Sequence, residues 1–268
     1  IANSGNLTVG SVAGTLGVTS GNSDIVLTST GSQTLQNVVN AGTGNVRLNA
    51  QSGGLTELAG GVLTATGLLL TGNGTFTLNQ ANAVGNFAAN VNGDLQFRSA
   101  GALTVGSVLG FNGITDVNFN VTLNTGGALT LTQLLNVGSG ALTLNALAGG
   151  VNQAGGVIVA AGLRLNGSGA FSLFQAGNSI GTLAANITGS LSFQTAGDLV
   201  VGSVSGLNGI STSGGFVNLF APNGFISVNQ PINTGVGVPG TASLFGDVRI
   251  FSSLAGTGYI TLTANPLP

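Results

Sequence analysis

The chain has 268 residues, a formal net charge of −2, neither His nor Cys, and only 4% charged residues against 43% hydrophobic ones. Without Cys there is no disulfide framework or thiolate metal site, and with four Arg as the only cations there is no basic patch for nucleic acid or an anionic membrane. No cofactor and no membrane insertion are expected, because every apolar run is broken well short of the ~18 residues that a spanning helix needs.

Gly supplies 48 residues, a bias that often accompanies disorder, yet a mean hydropathy of +0.51 leaves ample material for a core. A repeat explains the combination. GNLTVGSV at Gly5 returns as GALTVGSV at Gly101 and as GDLVVGSV at Gly197, two intervals of 96 residues. The chain therefore reads as one continuous array over residues 1–268, with repeats at about 5–100 and 101–196 and a divergent third at 197–268.

In chain order, alternating apolar and polar residues mark strands beginning at Ile25, Val46, Leu68, Leu95, Val121, Leu142, Leu163, Leu191 and Val217. Their side chains are expected to stack inward as one core ladder. The gaps are 21, 22, 27, 26, 21, 21, 28 and 26 residues, so four gaps make about 96. A second strand follows eight or nine residues later, at Gln33, Leu55, Phe76, Leu103, Leu129, Val151, Phe171 and Leu199, and a weaker apolar segment such as Val84 to Ala88 supplies a third. Helical spacing is nowhere sustained, and each Gly inside a helix costs about 1 kcal/mol relative to Ala. The expected fold is all-β: a right-handed parallel β-helix of about eleven coils, roughly 24 residues and three short strands each, grouped in four-coil repeats. The unit is too short for a propeller blade, and the chain has no Trp for a Trp-Asp signature.

The outward centre of the second strand carries Thr8, Thr34, Thr56, Thr77, Thr104 and Thr130, which are expected to form a threonine ladder. An ice- or crystal-binding face needs two such rows, and the positions two residues onward are mixed. Thr also simply suits an exposed strand. The six acids, Asp24, Glu57, Asp94, Asp116, Asp198 and Asp247, are spread along the chain rather than paired as polysaccharide-cleaving chemistry requires. With no His or Lys as well, catalysis is not expected. Arg47, Arg98, Arg164 and Arg249 alternate with apolar residues and are expected to face solvent. Glu57 breaks the alternation and is expected at a corner, since a buried lone carboxylate is costly. A single Tyr and no Trp disfavour a dedicated glycan pocket.

The G-x-L-x-V-G-S-V opening, the L-x-L-N-A strand at Leu142 to Ala146 and LAANITGSLSF at Leu183 to Phe193 resemble the repeat region of filamentous haemagglutinin-like exoproteins. The resemblance covers nearly the whole chain and weakens after about Pro231. It implies a secreted bacterial surface protein exported through a dedicated outer-membrane transporter. The family's export domain carries Asn-Pro-Asn motifs; the nearest match here, Ala221-Pro222-Asn223-Gly224, lacks the first Asn and reads as a turn. Any leader is expected outside this segment. The resulting expectation is a structural shaft of a large extracellular adhesin or fibre. The alternative is a filament subunit whose open ends stack on further copies of itself.

Overall fold

In the computed structural model of the protein, which describes residues 1–116, 118–235, 241–255 and 260–263, every described regular element is a β-strand. Parallel pairing joins the chain to itself turn upon turn. One column runs Leu7, Gln33, Leu55, Phe76, Leu95, Val121, Leu142, Leu163, Leu183, Val201, Val228 and Ile250, eleven steps in all. The expected parallel solenoid of about eleven turns is what the chain forms.

Each coil has two sides. One is a single long strand, such as Ile25–Ser29 or Asn45–Ala50. The other is a pair of short strands separated by a corner, such as Leu7–Val9 with Val18–Thr19, or Gln33–Leu35 with Val39–Asn40. Further along, Leu63–Asn73 and Phe76–Asn92 run round a corner and contribute to both sides. Burial in Asn45–Ala50 alternates strictly, with Val46, Leu48 and Ala50 inward, because successive Cβ atoms point to opposite faces. The inward side chains form one core running from Val9 to Leu244, with Phe76, Phe87, Phe97, Phe171 and Phe193 its largest fully buried members. Phe87 and Phe97 stack with ring centroids 4.5 Å apart.

At the end of the first repeat two long strands follow one another. Residues 86–92 close one coil, Gly93 turns the chain at φ +149°, and Leu95–Ser99 opens the next. Leu95 lands on Phe76 and Ser99 on Asn82, so this long strand covers the split side below it. The short strands Leu103–Val105 and Ile114–Thr115 then cover the two halves of the long strand at 86–92. The sides exchange roles. The second repeat ends likewise: Leu191–Gln194 covers Phe171–Leu173, and Leu199–Val201 and Ile210–Thr212 cover Ser179–Ile187. One repeat thus holds five long strands and four split pairs, four and a half coils rather than the expected four.

This corrects the core ladder. Its members are buried, but they do not form one column. Ile25, Val46 and Leu68 stack together and continue to Phe87, not Leu95. Leu95, Val121, Leu142 and Leu163 stack in the other column and continue to Leu183, not Leu191. Leu191 and Val217 return to the first side of the coil, in the neighbouring column that runs through Phe171. The reason is local: Leu95 lies only eight residues beyond Phe87, a half-coil, too short to bring the chain back above its own last long strand.

At each repeat start the split side throws out a β-hairpin: Ser11–Val12 with Thr15–Leu16, Ser107–Val108 with Phe111–Asn112, and Ser203–Val204 with Leu207–Asn208. Their turns place two residues at positive φ, Ala13-Gly14, Leu109-Gly110 and Ser205-Gly206, the geometry that matches the twist of a two-residue hairpin. Each hairpin returns to the coil through a Gly near φ +69°, at Gly17, Gly113 and Gly209. A Cβ on Gly113 would lie 2.0 Å from the Leu134 carbonyl oxygen of the next coil. Gly113→Ala combines that clash with a left-handed φ, and it is expected to lower unfolding free energy by at least about 2 kcal/mol. Gly110→Ala, whose Cβ meets nothing within 4 Å, bears the φ cost alone. Chemical denaturation of both variants is expected to show the larger loss at Gly113.

Candidate functional site

The threonine row does not hold together as expected. Thr8, Thr34, Thr56 and Thr77 stack in register, but Thr77 continues to Gln96. Thr104 rests on Asn86 and leads to Thr130 and then Asn152 on the other side of the coil. The half-coil shift divides the six residues into a row of four and a row of two, so no single face carries them all.

Three of the acids serve the stacking itself. The Oδ1 atoms of Asp24, Asp94 and Asp198 accept hydrogen bonds from the backbone N–H of Asn45, Asn120 and Phe225 in the following coil, at 2.7, 3.0 and 2.9 Å. Asp247 faces solvent beside Arg249 at 4.0 Å, and that guanidinium lies over the Phe225 ring.

Glu57 departs from expectation: it is buried within the strand Leu55–Glu57 instead of standing at an exposed corner. Its Oε2 accepts from the Gln80 N–H at 2.7 Å and from Asn82 Nδ2 at 3.3 Å, while Oε1 is buried without a partner. One repeat later Gln153 and the fully buried Asn178 occupy the same places, bonded to each other by 2.7 and 3.0 Å contacts, and Gln153 Nε2 also donates to the Gly156 carbonyl. The corner is thus a buried polar joint whose neutral amide form is complete and whose carboxyl form is not. Burial pushes the Glu57 carboxyl up to about 7 against the bonds from Gln80 and Asn82. Asp116, fully buried with Oδ2 unpartnered, is pushed up to about 6 by the same cause, opposed by the Gly93 N–H and reinforced by Asp94.

Two of the four arginines also depart from expectation. Arg98 is exposed, but Arg47 and Arg164 are half-buried on the outer surface of long strands, close to the second and third hairpins. These hairpins fold back over the coils that precede them. Val108 is 3% exposed and packs with Phe111 on Leu69 and Ala88; Val204 is 5% exposed and lies against Gly162. Below the third hairpin, Arg164 Nη1 donates to the Ser205 carbonyl at 2.8 Å.

Below the second hairpin lies a shallow recess of about 330 Å³, lined chiefly by Arg47, Asn49, Thr71, Asn90, Asn92 and Phe111. Arg47 sits 5.9 Å from the Phe111 ring centroid and has no hydrogen-bond or ion-pair partner among the described residues. Apart from Arg47, none of these residues stood out in the sequence. The signal available was the G-S-V-x-G-x-x-G pattern at Gly10, Gly106 and Gly202, which encodes the hairpins that make the shelf.

The architecture places the chain among parallel β-solenoids decorated on alternate sides by small hairpins. Neither family models, nor curated proteins, nor solved structures provide a match to it.

The buried carboxyls give the stability a definite pH dependence. Native values of about 7 and about 6 lie above the ordinary 4.5 and 3.8, so the folded state holds protons that the unfolded state has released, and stability falls as pH rises from about 4 to about 7. Glu57→Gln is expected to flatten much of that slope and to raise stability at pH 8 by about 1 kcal/mol or more, with little effect at pH 4. Thermal melts of both proteins across this range measure it.

Proposed function

We propose that the chain is a structural rod segment of a secreted bacterial surface adhesin or extracellular fibre, giving reach, rigidity and display. The observation that carries this reading is the unbroken column of main-chain pairing through eleven coil steps. At the ~4.8 Å strand spacing this makes a shaft of roughly 50 Å whose length is set by coil number alone. The extracellular location and the outer-membrane transporter as export partner rest on the resemblance of the repeats to filamentous haemagglutinin-like exoproteins. A non-enzymatic role is supported by acids that serve stacking and joints rather than a shared cleft.

A second reading, a filament subunit in which further copies of the chain stack end to end, is favoured by the first hairpin. Val12 and Leu16 are 78% and 60% exposed, whereas Val108 and Val204, the residues 96 and 192 positions on, are buried on preceding coils. Covering such a Val and Leu contributes about 1.5–3 kcal/mol each.

Electron microscopy of the purified chain is expected to show stiff rods, and flexible or globular particles would refute the shaft. The absence of Cys permits a second measurement. Val12→Cys is expected to react readily with a maleimide in dilute solution, and Val108→Cys slowly. Protection of Cys at position 12 on concentration supports stacking through the first hairpin; undiminished labelling at every concentration rules it out.

A further inference from the structure

The surfaces beneath the second and third hairpins descend from the same repeat, yet only one of them satisfies itself. In the later repeat the side-chain amides of Asn124 and Asn145 stand 2.6 Å apart, and the Asn166 amide stands 2.8 Å from that of Asn145 and 2.9 Å from Arg164 Nε. Together with the bond from Arg164 to Ser205, this closes the network. The corresponding row of the first repeat is Thr28, Asn49, Thr71 and Asn90. Thr71 stands where Asn166 stands later, and its short side chain breaks the amide ladder.

The consequences converge on one recess. Thr71 is only 8% exposed, and its Oγ1 has no partner. Arg47 Nε is buried and unpartnered. The side-chain amides of half-buried Asn49 and exposed Asn90 also line the recess and make no hydrogen bond among the described residues. The arginine has also moved one coil away from the hairpin, since Arg47 pairs in register with Leu69 whereas Arg164 pairs with Thr143. It therefore stands beside open space instead of under a hairpin carbonyl. Each buried polar group left without a partner is costly, and two of them, Thr71 Oγ1 and Arg47 Nε, line this one recess.

We propose that this recess binds a sugar acid, a compact polyhydroxylated carboxylate of about one ring. A guanidinium fork with free N–H groups matches a carboxylate, and no acid lines the recess to oppose it. Hydroxyls are donors and acceptors at once, as the Thr71 hydroxyl and the Asn49 and Asn90 amides require. Phe111 offers an apolar edge at the rim against the C–H face of a sugar ring. The volume of about 330 Å³ suits one small ligand and no more.

The test is calorimetric or ligand-observed NMR titration of the full chain with D-glucuronate, with methyl glucoside and acetate as comparisons. Wild type is expected to bind glucuronate saturably and both comparisons at least about tenfold more weakly. Arg47→Gln is expected to lose about tenfold or more in affinity. Thr71→Asn, which restores the amide ladder, is expected to weaken binding without loss of fold, and Arg164→Gln to leave it unchanged. No saturable binding by wild type overturns the proposal, as does equal binding by Arg47→Gln and Thr71→Asn. Equal affinity for acetate or for methyl glucoside overturns the sugar-acid assignment.

Discussion

Everything above the single coil depends on the main-chain N–H and C=O groups of one turn meeting those of the next at strand spacing. A buried, unpaired backbone group costs as much as a lost hydrogen bond, so each coil is held in register along its perimeter. The corners obey the same constraint. Where a strand ends, a side chain takes over the bond: Asp24 and Asp94 receive the first N–H of the following coil, and Asn22 and Asn118 receive N–H groups from Thr43 and Ser139. Glycine occupies positions where a neighbouring coil comes too close for a Cβ, as Gly72 does against the Ala50 carbonyl of the preceding coil. The low charge and high Gly content of the chain follow from this perimeter.

Within that frame the outer surface is free to vary, and the variation is concentrated at the hairpins. The second and third emerge where the split side crosses a long strand, and they fold back on coils already made. Val108 and Val204 convert part of the polar exterior into a second, smaller apolar contact. The same fold-back partly shields Arg47 and Arg164, while Arg98 remains in solvent.

The alternation of Val46-Arg47-Leu48 and the recurrence of GSV at fixed spacing made strand, solenoid and repeat legible in the sequence. Register was not legible, because Leu68 and Leu95 look alike as strand beginnings while differing in which side of the coil they occupy. The clue lay in the gap lengths. Those of 27 and 28 contain an extra half-coil, at Phe87 and Leu183, and those of 26 contain a hairpin. Glu57 was misplaced because its partner, Asn82, is an adjacent-coil residue 25 positions away, and no local pattern announces a buried amide. Thr71 was invisible for a different reason: its importance is what it fails to do, and that emerges only beside Asn166.

The half-coil repeat has a consequence for how such rods change length. Because each 96-residue unit turns its successor to the opposite flank, tandem duplication acts as a parity operation. Gaining or losing one unit inverts the facing of every downstream hairpin and recess, whereas two units restore it. A lineage of such rods can therefore lengthen freely in pairs, while a single duplication moves its surface features from one flank of the rod to the other without altering a residue.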